Sequence, residues 1–159
     1  MNISSQEKSI IKEVCHKWDQ LNHDIKKFKR WLNKNKWDNL NKNNKNGMFK
    51  KVYSKENLVV KFDEDGEHVF SEYYEWKKAS KKKRGFICPT LKFYDGLLFQ
   101  VKLLDCNRDI SEVPNDIHKI AKKFRFSHSW NYGFLNGKVK FYDIDSMYYE
   151  LTDPEEFPY

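Results

Sequence analysis

The sequence predicts an α+β fold, and three patterns carry that prediction. An apolar stripe of Ile11, Val14, Trp18, Leu21, Ile25, Phe28 and Leu32 steps alternately by three and four, the mark of a helix with one buried face. From Gly47 onward the pattern becomes strand-like, and Asp95-Gly96 and Asn136-Gly137 each stand between apolar runs as hairpin turns. Helical patterns recur at Val69 to Ala79 and at Asp116 to Phe124.

Taken in order, the first element reads as one long helix over residues 5–36, opened by Ser4 or Ser5 as N-cap with Glu7 close behind. Its stripe follows a heptad, so a homodimer through this helix is one option. Trp18 and Phe28 are bulky for a two-stranded seam, and the flanking Cys15, Lys17, Asn22, Asp24, Lys29 and Trp31 form no charge code. Docking onto the rest of the chain or onto a partner protein is therefore favoured. Residues 1–46 form a basic helical arm that ends in an Asn/Lys-rich linker, Asn39 to Asn46, and residues 47–159 form the second domain.

In that domain Phe49, Val52 and Tyr53 precede a turn at Ser54-Lys55-Glu56-Asn57, and Leu58 to Phe62 follows as a strand. Leu58, Val60 and Phe62 share one face; Val59 and Lys61 share the other, where a covered ammonium needs an anion. Glu72 and Glu75 on the next helix are the candidates. Leu91 to Tyr94 and Leu97 to Leu104 flank the Asp95-Gly96 turn. After Asn136-Gly137, alternation puts Val139, Phe141 and Asp143 on one face and Lys138, Lys140 and Tyr142 on the other. Asn131 before the hairpin and Asp143 at its far end are thereby expected to come together as two oxygen donors suited to a metal.

Composition limits the function classes. The chain has 159 residues, 39% apolar and 16% aromatic, enough for an independent core and unlike a disordered chain. No apolar run approaches the roughly 20 residues that span a bilayer. The N-terminus lacks a signal-peptide pattern, so a soluble cytoplasmic protein with no membrane partner is expected. Cys15, Cys88 and Cys106 are scattered and odd in number, which suits free thiols in a reducing compartment. Cys15, His16 and His23 read as ordinary helix residues. The net charge of +7 is concentrated at the start: residues 1–46 hold 11 Lys/Arg against 5 Asp/Glu.

The ordered set of Gly47, Val52-Tyr53, Val59-Val60-Lys61, a glutamate-bearing helix, Pro89, a strand pair ending near Gln100 to Lys102, His128-x-x-Asn131-x-Gly133 and Asp143 resembles the protein-kinase-like fold. The nearest flavour is that of small phosphotransferase-like kinases of bacteria and their phages. The resemblance covers residues 47–146. It implies an antiparallel sheet with a shortened second lobe, and Mg2+ and ATP as cofactors. Lys61 would hold the nucleotide phosphates and pair with Glu72, or failing that Glu75; Asn131 and Asp143 would bind magnesium; Gly47 would lie in the loop covering the phosphates. That loop is glycine-poor here, with Met48, Phe49, Lys50 and Lys51. Phe126 occupies the position of the catalytic aspartate, and a phenylalanine cannot accept a proton. His128 matches a structural histidine of the family's loop.

The expectation is thus a degenerate kinase-like protein, a pseudokinase, acting as a regulatory or adaptor module through a protein partner. If phage-encoded, it would act in the host cytoplasm. One alternative is an active small kinase with a non-standard base. Another is nucleic-acid binding through the basic residues of 1–46 and Lys81 to Arg84, with Trp31, Trp37 and Trp76 as stacking surfaces. Asp63, Glu64, Asp65 and Glu67 with Glu75 and Lys77 weakly resemble a nuclease metal set and read more simply as a solvated turn and a helix surface. Asp153, Glu155 and Glu156 make an acidic tail.

Overall fold

The computed structural model describes residues 3–41, 50–107 and 111–144. The α+β class is as the sequence predicts, with helices first, a five-stranded antiparallel sheet, and a separate two-stranded sheet. The chain forms two compact units. One comprises the chain up to Val69 with Thr90–Lys102, and the other Phe70–Pro89 with the chain from Leu103 onward.

In the first unit the helical stripe forms two helices, α1 (Ser5–Gln20) and α2 (Ile25–Lys34). The single helix expected over 5–36 is broken because Asn22 and His23 take left-handed φ values of 53° and 60°, and Asp24 caps a new helix by accepting from the Lys27 N–H at 3.1 Å. Ser4 caps α1: its Oγ accepts from the Glu7 N–H at 3.1 Å and donates to Glu7 Oε1 at 3.0 Å.

The sheet contains β1 (Asp38–Asn39), β2 (Lys51–Lys55), β3 (Leu58–Phe62), β4 (Thr90–Tyr94) and β5 (Leu97–Val101), in the order β1-β2-β3-β5-β4. Glu56 (φ 54°) turns β2 into β3, and Asp95 (41°) with Gly96 (90°) turns β4 into β5. Both central residues of the second turn have positive φ, as its sequence requires.

The apolar stripe packs on this sheet rather than on an open seam. Ile11, Val14, Trp18, Phe28 and Leu32 share one core with Tyr53, Leu58, Val60, Phe62, Leu97 and Phe99. Trp18 meets Phe28 edge-on at 4.8 Å between centroids, and Phe28 meets Phe62 the same way at 5.1 Å. Such pairs add roughly 0.5–1.5 kcal/mol each beyond their buried area. On the opposite face of the sheet, Val59, Lys61, Leu98 and Gln100 are also buried.

The helix α3 (Glu67–Lys78) follows β3 and runs across the division between the units. The second unit adds α4 (Lys81–Arg84), α5 (Asn115–Phe124) and the hairpin β6 (Tyr132–Leu135) and β7 (Lys138–Phe141). Asn136 (φ 52°) and Gly137 (76°) form the turn. Phe141 also joins the segment before β4: its N–H donates to Phe86 O at 2.7 Å, and its carbonyl accepts from Cys88 N at 2.8 Å. The core here is Ile87, Ile117, Ala121, Phe126, Tyr132, Phe141 and Ile144.

Candidate functional site

The hairpin of the second unit determines where Asn131 and Asp143 stand. Tyr132 pairs with Phe141 in the β6–β7 ladder, and one step outward the Tyr142 N–H donates to the Asn131 carbonyl at 3.0 Å. Asn131 therefore precedes one strand and Asp143 follows the other at the same end of the ladder, both half-buried. The backbone of Asn131 meets that of Tyr142, the residue before Asp143.

The orientation expected for Asp143 is not kept. β7 ends at Phe141 and Asp143 takes φ 53°, so period-two alternation does not extend to it. It belongs to the irregular segment after the strand, where a short polar side chain tolerates the left-handed region.

The loop before Asn131 is held from three directions. His128 stacks on Trp130 with centroids 4.6 Å apart, and the Asn131 N–H donates to His128 O at 3.3 Å. Asn107 donates from Nδ2 to Trp130 O at 3.1 Å and from its backbone N–H to Tyr132 O at 2.9 Å. Tyr142 Oη donates to Asn107 O at 3.3 Å. Sequence reading passes over Asn107, because an isolated asparagine in an irregular segment carries no periodic signal.

Gly133 lies against the same segment. A Cβ there would stand 2.9 Å from Cys106 Sγ, 2.9 Å from Leu103 Cβ and 3.1 Å from Leu104 O. Its glycine reflects close backbone approach rather than a positive φ.

Phe126 is only 9% exposed and belongs to the core. Its ring stacks on Phe141 at 4.5 Å and Lys83 Nζ lies 5.2 Å from its centroid. The position that the resemblance gives to a base is filled by a packed aromatic ring.

Lys61, in β3 of the first unit, is 3% exposed, and Glu72, on α3 in the second, is 0% exposed. A buried ammonium or carboxylate needs compensating charge and hydrogen bonds, so neither is an ordinary surface residue. Glu75 pairs with Lys78 at 2.8 Å. Gly47, the linker residues Lys42 to Asn46 and the acidic tail at Asp153, Glu155 and Glu156 lie outside the described residues.

Several other candidates have structural employment. Asp63 Oδ2 accepts from His68 N at 3.0 Å and Asp65 Oδ1 from Glu67 N at 3.0 Å, so the acidic turn caps the start of α3. Desolvation pushes the Asp63 carboxyl above its usual range. Trp37 is buried in the core. The Arg84 guanidinium lies 4.6 Å from the Trp76 ring and donates to Trp76 O and Lys77 O at 3.1 and 2.5 Å, capping the end of α3. Trp37 and Trp76 therefore do not offer the open stacking faces expected of them, and Arg84 is committed to the helix end.

The described residues contain one group of three side chains spaced like metal ligands, Asp19, His23 and Asp95. His23 Nε2 lies 3.0 Å from Asp19 Oδ1 and 3.5 Å from Asp95 Oδ2, with its ring stacked on Trp18 at 4.6 Å. Trp18 Nε1 donates to Asp95 O at 2.9 Å, and Tyr94 Oη donates to Asp19. The Tyr94 hydroxyl, then His23, hold the Asp19 carboxyl below its usual range. These bonds fasten the α1–α2 loop to the β4–β5 turn and account for the group as a structural clamp.

No helix among the described residues is long and apolar enough to cross a membrane. No protein-family model, curated protein or solved structure matches the chain.

Proposed function

We propose that the protein is a kinase-like module that binds a magnesium–nucleotide, no longer transfers phosphate efficiently, and acts as a regulatory or adaptor protein. The observation that carries the reading is that Asn131 and Asp143 flank the two strands at the same open end of the β6–β7 hairpin, where the Tyr142 N–H donates to the Asn131 carbonyl. One amide and one carboxylate suffice for magnesium when phosphates and waters complete its shell. Further support comes from the buried lysine on the third strand and the glutamate-bearing helix that follows it in the chain. The roles of Lys61 at the phosphates, Glu72 as its counter-ion and Gly47 in the covering loop rest on residue type and chain order.

The loss of transfer rests on Phe126, whose packed ring cannot accept a substrate proton. Loose phosphoryl-transfer transition states depend heavily on positioning and metal charge, so a slow residual rate is compatible with this reading.

The test is thermal unfolding with magnesium alone, ATP alone and both together, on the native chain, Asn131→Ala and Asp143→Ala. At about ten times Kd, ligand contributes roughly 1.4 kcal/mol, a rise of about 3–6 °C for a chain of this size. The rise should require magnesium and vanish in both variants. No shift in the native chain would sink the nucleotide reading, whereas efficient transfer abolished by Lys61→Ala would replace it with a working kinase.

A further inference from the structure

The acidic turn between β3 and α3 holds an atom that helix capping does not use. Asp63, Glu64, Asp65 and Glu67 stand within five residues with no Lys or Arg among them, in a chain whose net charge is +7. Glu64, Asp65 and Glu67 are exposed, whereas Asp63 is only 5% exposed. Asp63 Oδ2 accepts from the His68 N–H at 3.0 Å, but Asp63 Oδ1 is buried and has no hydrogen-bond partner among the described residues. A buried carboxylate oxygen needs a donor or a cation, and an orphan of this kind points to an ion or a proton at the site.

The group that the Asp63 carboxyl does meet sharpens the need. The Asp65 carboxyl lies within hydrogen-bonding reach of it, while Asp65 Oδ1 accepts from the Glu67 N–H at 3.0 Å. Two carboxylates in contact repel unless positive charge stands between them. The start of α3 supplies only about half a charge, and Glu64 and Glu67 add to the negative side.

We propose that Asp63 and Asp65 form a calcium site, with Asp63 Oδ1 as the buried inner ligand, Asp65 as the outer one and water completing the shell. Carboxylate oxygens are hard donors, which suit calcium and magnesium better than softer metals. Magnesium demands near-octahedral geometry and gives up its waters reluctantly, whereas calcium accepts an irregular shell and a bare buried oxygen. Asp65 lies at the surface, so the ion reaches the pair from solvent and keeps its outer waters. With only two protein carboxylates the affinity is weak, with Kd on the order of 10⁻⁴–10⁻³ M. Both residues belong to the first unit, so the proposal does not rest on the magnesium–nucleotide reading of the second.

Terbium, a luminescent stand-in for calcium, provides the probe, because Trp18 is close enough to sensitise it. A Cβ at Gly96 would stand 3.9 Å from Trp18 Cζ2, and one at Gly66 would stand 3.9 Å from the Gly96 Cα. Luminescence excited through tryptophan should appear when terbium is added to the full chain, fall on competition with calcium, and be lost in Asp63→Asn and in Asp65→Asn. Both asparagines keep an oxygen acceptor for the helix amides, and circular dichroism verifies their folding. Calcium at about ten times Kd should raise the native melting temperature by about 3–6 °C, and magnesium at the same concentration by less than half as much. Asp143→Ala should keep the full calcium response, which separates failure of this site from failure of the magnesium site. Absence of either the terbium signal or the calcium shift would leave a shared proton to close the Asp63–Asp65 pair and would overturn the proposal. So would a signal that survives Asp63→Asn, including one lost instead in Asp95→Asn, which would give the ion to Asp19, His23 and Asp95. A magnesium shift as large as that of calcium would overturn the choice of ion.

Discussion

Replacing Gly133 by alanine should destabilise the protein by roughly 2–3 kcal/mol, through crowding rather than backbone strain. The new methyl carbon would meet Cys106 Sγ and Leu103 Cβ at 2.9 Å and Leu104 O at 3.1 Å. Overpacking of this kind costs about 1–3 kcal/mol. The carbonyl is the least yielding neighbour, because Leu104 exchanges two hydrogen bonds with Phe134, at 2.9 and 2.8 Å. Moving it would weaken bonds worth about 1 kcal/mol each. Loss of glycine's unfolded-state entropy returns about 0.4–1 kcal/mol. Gly137 supplies the control: its φ is +76°, but a Cβ there meets nothing within 4 Å, so alanine costs only the left-handed penalty of roughly 1 kcal/mol. Urea unfolding of both variants should place Gly133→Ala below Gly137→Ala, with Cys106→Ala restoring less than half the loss. A Gly133→Ala protein as stable as the native chain, or more stable than it, would refute the close-approach reasoning.

Three other outcomes follow from the same structure. Asp19 has a depressed native pKa, so its contribution is present above the unfolded value of about 3.9 and lost as pH falls through the native one; Tyr94→Phe should flatten that acid limb in pH-dependent unfolding. Asp63 has the opposite sign, with stability lost as pH rises from about 3.9 through its raised native pKa. Asp63→Asn keeps an acceptor for the His68 N–H, so it should raise the melting temperature near neutral pH with no gain at about pH 3; equal effects at both would contradict the desolvation account. In titration with a chromogenic aromatic disulfide, half-buried Cys106 should react first. Cys15, buried and pushed up to about 11, should react only at the rate of unfolding, and fast modification of it would show that the α1 core face opens readily.

What the sequence discloses is mostly local. Asn136-Gly137 and Asp95-Gly96 are legible because few dipeptides accept two positive φ values in succession, and both turns form where they are expected. The break between α1 and α2 is hidden by spacing. Leu21 and Ile25 remain four apart across it, so an apolar period that defines a face says nothing about whether the backbone is continuous. Asp24 as a second N-cap was the available signal. The Trp76 and Arg84 assignments failed for a related reason: a basic run near aromatics has the same composition whether the rings stack outward on a ligand or inward under a guanidinium.

The same distinction between local and distant order separates the candidate residues by how much the sequence can say of them. Asn131 and Asp143 stand twelve positions apart in a hairpin whose turn is fixed by its own dipeptide, so their place at the same end of the ladder follows from strand geometry alone. Alternation does not reach Asp143, since it is a property of a strand and β7 has already ended. Asn107 is the converse: it fixes the loop beside Asn131 from 24 positions upstream, through backbone contacts that any polar residue's neighbours leave unmarked in sequence. Asn107→Ala therefore removes a bond to Trp130 O without touching Asn131 or Asp143, the residues proposed to hold magnesium. Coupling between that substitution and Mg-ATP stabilisation would show that Asn131 acts from a loop held in place, because a merely solvent-exposed asparagine would not respond to it.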